Sequence, residues 1–240
     1  MESSDRPRSR RVSDGAFYFI AGFCGLAGGI VGAAFHLTVD ALLHWPAWLM
    51  ARFGSGPETI LMAAGIAAAG VLVAFVLTRT VAPEAAGSGV QEIEGAMEGL
   101  RTVRWRRILP VKFVGGVLGL SSGLVAGREG PTIHIGASIS AAVCEGLRLE
   151  REDMHGLLAA GAAAGLAAAF NAPLAAILFI IEETRKQFRY TFRSYVGVIC
   201  ASAGRPRPSS AYRSCRLWSW APRWARSPSC CQRRWAAAKC

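Results

Sequence analysis

From residue 16 to residue 39 the chain reads AFYFIAGFCGLAGGIVGAAFHLTV with no formally charged side chain, and from 59 to 78 it reads TILMAAGIAAAGVLVAFVLT in the same manner. Each run is long enough for a helix to cross the hydrocarbon of a bilayer, so two membrane spans are predicted. Downstream the apolar segments shorten, gain Gly and Ala, and take up polar residues. Residues 87–100, GSGVQEIEGAMEGL, are too short and too acidic to cross, whereas residues 108–126 are apolar apart from Lys112. Residues 157–181 are uncharged but interrupted at Asn171-Ala172-Pro173, where proline ends or kinks a helix and disfavours helical geometry in the residue before it. Small residues let helix backbones approach, and broken helices persist at membrane depth only inside protein or beside a watery cavity. An all-α, polytopic bundle with internal half-helices is predicted, an architecture associated with transporters.

Charge sets the topology. Arg6, Arg8, Arg10 and Arg11 precede the first run as the n-region of a secretory signal would, but the run is too long for one and a second span follows. We read these arginines, the cluster Arg101, Arg104, Arg106 and Arg107, and the cluster Arg185, Lys186, Arg189 and Arg193 as cytoplasmic flanks of spans. Residues 1–14 are then a basic cytoplasmic N-terminus, and the chain is expected to be an integral multi-pass membrane protein. With 52% hydrophobic and 18% charged residues and no nucleophile–base constellation or phosphate loop, a soluble enzyme is disfavoured. The seven cysteines show no C-x-x-C, and His134 and His155 have no partner at ligand spacing, so neither metal, cofactor nor disulfide framework is expected.

Residues 201–240 break the pattern. Eight arginines and Lys239 carry most of the net charge of +11 there, with no Asp or Glu and Leu217 as the sole Leu, Ile, Val, Met or Phe. A basic tail with interleaved Trp could bind nucleic acid or anionic lipid. Its composition fits better an out-of-frame translation of GC-rich DNA, without stable structure, and no nucleic-acid partner is expected.

Three motifs carry candidate chemistry. In Gly87-Ser88-Gly89 the glycines allow backbone N–H groups to approach an anion, Ser88 offers a hydroxyl, and a short helix is predicted to begin at Val90 or Gln91. A helix N-terminus has unpaired N–H groups and partial positive charge, which suits a dehydrated anion. In Gly127-Arg128-Glu129-Gly130-Pro131, proline suits a first helical turn and Glu129 stands at the helix entrance. Ionisable groups at membrane depth are functional candidates. Glu129 would compete with an anion for the same N–H groups and leave on protonation, which makes it a gate. The third motif ends a helix in Glu182-Glu183: Glu182 is read as a surface residue, and Glu183, if it faces inward, as a proton relay.

In order, GSGVQEIEGA, VKFVGGVLGLSSG, GREGPTIHIGA, GAAAGLAAAFNAPLAAILFIIEE and QFRY, over roughly residues 15–200, resemble the CLC family of chloride channels and chloride/proton exchangers. The resemblance implies a lipid-embedded homodimer with one anion pathway in each subunit, a fold of two inverted halves, and chloride and protons as substrates. It places chloride on Ser88 with Gly87, Gly89, Gly127, Arg128 and Gly130 forming the anion-binding loops. It makes Glu129 the gating and external proton glutamate, Glu183 the internal one, and Lys112 a buried cation near the pathway with Glu94 as a candidate partner. Two departures stand out: the family's proline after Gly-Ser-Gly-Ile is Gln91 here, and the second half, with its Gly-x-Phe-x-Pro segment and coordinating tyrosine, is absent. The expected function is chloride transport, exchanger favoured over channel because of Glu183, in a truncated copy. The alternative is a non-transporting structural or regulatory fragment.

Overall fold

The computed structural model describes residues 11–185 and 190–204. The expectations for residues 1–10, for Lys186 and Arg189, and for the tail from 205 onward lie outside the described residues. Among the described residues the structure is helical without strands: α1 (Asp14–Leu42), α2 (Trp45–Phe53), α3 (Pro57–Val81), α4 (Val90–Met97), α5 (Trp105–Ser121), α6 (Glu129–Leu147), α7 (Arg151–Phe170), α8 (Pro173–Thr184) and α9 (Phe192–Ala203), with a single 3-10 turn at Pro83–Ala85 before α4.

Both long uncharged runs are helices, α1 and α3, as their composition requires. The stretches Asp14–Phe53, Pro57–Val81 and Arg151–Phe170 are each long and apolar enough to cross a membrane. They differ in what surrounds them. None of the most apolar window of α3 is buried, whereas 72% of that of α7 is. Leu61 and Leu72 of α3 are 73% and 61% exposed, and such a continuous apolar face on a helix of this length fits lipid rather than water.

Helix α7 forms the centre and packs on α6, α1, α8 and α9. Its Gly and Ala residues make this possible. A Cβ on Gly165 would lie 2.8 Å from the Thr132 carbonyl carbon, and one on Gly161 would lie 3.0 Å from that of Gly136. Backbones in contact at Thr132–Gly165 and Gly136–Gly161 mean that α6 and α7 run antiparallel, so the start of α6 lies beside the end of α7. At that end Asn171 takes φ 56 and Pro173 opens α8, which is the interruption the sequence predicts. A second cluster, Phe35, Val39, Val117, Leu120 and Ile135, joins α1, α5 and α6 and holds α5 against the first half of α6.

Three features depart from the sequence-based expectation. Helix α2 occupies a segment between the spans where no element was expected; the indole N–H of Trp45 donates to the Ser121 carbonyl at 2.9 Å, tying it to the end of α5. The boundary at residue 201 falls inside α9, because a Cβ on Gly25 of α1 would lie 2.5 Å from Ala201 Cα and Ala201 and Ser202 are fully buried. Arg193 is not a free flanking charge. Its side chain is 14% exposed, pairs with Asp153 at 3.2 Å, donates to the Val12 carbonyl at 2.8 Å and lies 4.5 Å from the Phe17 ring centroid. A guanidinium removed from water needs such partners, and here they fasten the start of α1 to α7 and α9.

Candidate functional site

The Gly87–Gly89 loop turns through two left-handed residues, Gly87 at φ 73 and Gly89 at φ 86, a conformation that residues with a Cβ rarely adopt. Helix α4 then starts at Val90, where the sequence predicts it. The Ser88 hydroxyl oxygen accepts weakly from the Val90 N–H, at 3.4 Å, which leaves its proton to donate. Beneath the loop, Lys112 of α5 is 6% exposed. Its ammonium donates to the carbonyls of Ala85, at 2.8 Å, and Gly87, at 2.6 Å. The cation thus holds the loop from behind and places a positive charge one residue from Ser88.

The N-terminus of α6 meets the same loop. A Cβ on Gly130 would lie 2.9 Å from both Cα and the carbonyl oxygen of Ser88, so Ser88 rests directly on the first turn of α6. One turn further along the same face, the His134 ring packs on Gly89, where a Cβ would lie 2.5 Å from its Cβ, Cγ and Nδ1. Thr132 is fully buried, and its hydroxyl reaches the carbonyls of Glu129, at 2.8 Å, and Arg128, at 3.1 Å, fixing that first turn. Two helix starts therefore converge at Ser88. Each presents N–H groups without intrahelical partners and the positive end of its dipole, and Lys112 adds a full charge.

The remaining candidates fall in different places. The Glu129 carboxylate folds back over Gly127, where a Cβ would collide with its Oε2. The Arg128 guanidinium turns to Asp40 of α1, with Nη1 2.5 Å from Oδ1 and the two side chains 27% and 32% exposed. Arg128 therefore offers the site its backbone, and its side chain anchors the loop to α1. Glu183 is not brought to this cluster: it is exposed near the C-terminal end of α8, beside Glu182, which pairs with Arg185 at 3.4 Å. The inward orientation considered for Glu183 is not observed among the described residues, since α8 packs chiefly on α7 and α9 and buries Thr184 instead.

Reading the residues missed Asp40, Glu92 and His134. Glu92 is buried on α4 and pairs with Arg101 at 2.6 Å, closing the turn between α4 and α5. Asp40 carries no local signal, being 88 positions from Arg128. His134 had one: it lies four positions after Gly130, hence on the same helical face.

The profile of the family described as voltage gated chloride channel matches residues 70–215, more than half of the chain. The chain belongs to the CLC family. The match extends past residue 201 into the segment read from sequence as an anomalous tail. Among the relatives of this CLC chain, the H(+)/Cl(-) exchange transporter ClcA of Vibrio cholerae is 48% identical over 186 residues, covering 77% of this chain and 40% of that protein. The protein of the same name from Salmonella paratyphi A is 48% identical over 197 residues, covering 78% and 41%. The chain thus spans about 40% of the length of these curated relatives. A slow cyanobacterial Cl-/H+ antiporter of known structure superposes with a TM-score of 0.74 at 36% identity, over 81% of this chain and 46% of that one. A eukaryotic CLC transporter, at 23% identity and a TM-score of 0.70 over 78% and 36%, shares the fold.

Proposed function

We propose that the Ser88 loop and the start of α6 form a seat for chloride, and that the chain serves chloride transport coupled to protons in a bacterial inner membrane, as one of two identical subunits. One observation carries this reading: the backbone of Ser88 rests on Gly130, so two helix N-termini meet at Ser88, with the Lys112 ammonium behind the loop. A chloride ion there accepts from the Ser88 hydroxyl and from N–H groups at the two helix starts. Such fixed dipoles replace part of its hydration shell without a full counter-charge in contact.

Glu129 supplies the gate. Ionised, its carboxylate is a rival anion for the N–H groups of the first turn of α6; protonated, it loses that attraction and yields the seat. Anion entry and proton uptake at Glu129 are thereby linked. Exchange needs a second proton site toward the cytoplasm, and Glu183 is assigned that role by the family motif it completes. Its exposure favours a second reading. In that reading, with Glu183 away from the Ser88 seat at the C-terminal end of α8, the chain binds chloride without transporting it, in a structural or regulatory role.

Purified full chain in liposomes separates the readings, with chloride efflux and proton uptake recorded together. Exchange predicts coupled movement of both ions that is lost in S88A and uncoupled in E183Q. Chloride binding without flux supports the second reading. Neither binding nor flux would remove the seat.

A further inference from the structure

Resting on that reading, we propose that His134 is a further hydrogen-bonding residue of the anion seat, whose ring Nδ1–H donates to the bound halide. The imidazole is fully buried, and neither ring nitrogen has a hydrogen-bond partner in the protein. Neutral imidazole carries one N–H donor, and buried donors in native proteins find an acceptor. The Nδ1 side of the ring lies against the loop, since Cβ, Cγ and Nδ1 are the atoms that a Cβ on Gly89 would meet at 2.5 Å.

Within the loop the carbonyls of Ala85 and Gly87 accept from the Lys112 ammonium and the Ser88 hydroxyl oxygen accepts from the Val90 N–H. An anion held by the Ser88 loop is an acceptor for the unpartnered ring. The register of α6 makes this specific: Gly130 supports Ser88, and His134, one turn on, supports Gly89. One helical face thus supplies both the wall and the floor of the seat.

The test uses the full chain in detergent micelles, labelled with nitrogen-15 histidine. The His134 resonances are assigned by their loss in H134Q. When chloride, then bromide, replaces gluconate, the Nδ1 resonance is expected to move, with a midpoint equal to the dissociation constant from calorimetry on the same sample. H134M, of similar volume but without a donor, is expected to bind chloride about tenfold more weakly, the effect of losing a hydrogen bond to a charged group. H134Q, which retains N–H donors, recovers most of the affinity. A stationary Nδ1 resonance while calorimetry records binding overturns the assignment and leaves the seat intact, as does H134M binding within twofold of the unaltered chain. If H134M does not fold, the resonance of the unaltered chain still decides. Absence of chloride binding by the unaltered chain removes the seat and this inference with it.

Discussion

Replacing Lys112 by methionine keeps the length of the buried stem and removes the charge. The ammonium lies 2.6 Å from the Gly87 carbonyl oxygen, and consecutive Cα atoms are about 3.8 Å apart, so a halide at Ser88 sits roughly 7 Å from it. At an effective dielectric constant of about 20 the attraction is about 2 kcal/mol, which corresponds to roughly a thirtyfold loss of chloride affinity in K112M. Folding responds differently. Two hydrogen bonds from a charged donor contribute about 1.5–3 kcal/mol each, but withdrawing the ammonium from water costs several kcal/mol. The two nearly offset each other, and the net change in stability is expected to stay within about 2 kcal/mol. Calorimetric chloride titration of both proteins, with thermal unfolding in gluconate, measures the two quantities separately. K112M binding chloride within threefold of the unaltered chain would refute the claim that this charge serves the seat.

Other substitutions probe the neighbouring parts. E129Q removes the rival anion while keeping the shape, so chloride affinity should rise about tenfold; a fall in the same titration would mean that the carboxylate supports the anion. G130A places a methyl group 2.9 Å from the Ser88 backbone and is expected to cost about 1–3 kcal/mol of stability through overpacking, together with chloride binding. G146A, where nothing lies within 4 Å of the added methyl, should instead stabilise by about 0.5–1 kcal/mol through helix propensity, and thermal unfolding compares the two. D40N releases Arg128 from a partly exposed pair worth about 1 kcal/mol at most, so hydrogen exchange at residues 125–130 should accelerate with little change in melting temperature.

The spans were legible in the sequence because an uncharged run of this length has few alternatives, and α1 and α3 follow it closely. The break between α7 and α8 was legible because Asn171 and Pro173 act locally, and so was the start of α4 after Gly89. Convergence was not legible. That Ser88 rests on Gly130 depends on the antiparallel, glycine-lined contact of α6 with α7 and on which face of α6 receives the loop; neither is a property of a short segment. His134 was passed over because its neighbours in sequence are apolar, although its partner is the loop that ends 45 positions earlier. Arg193 looked like a flanking charge for the same reason, since Asp153 lies far from it in the chain. Which way Glu183 faces was not legible either, because it depends on how α8 packs: Ala176, Ile180 and Thr184 are buried and Glu183 is exposed.

Bromide, located by its anomalous scattering in crystals of the full chain, tests the seat most directly. A peak is expected within about 3.5 Å of the Ser88 hydroxyl, facing the first turn of α6 and growing stronger in E129Q. Ordered bromide found only elsewhere, with Ser88 and the start of α6 well resolved and bare at saturating concentration, would contradict it.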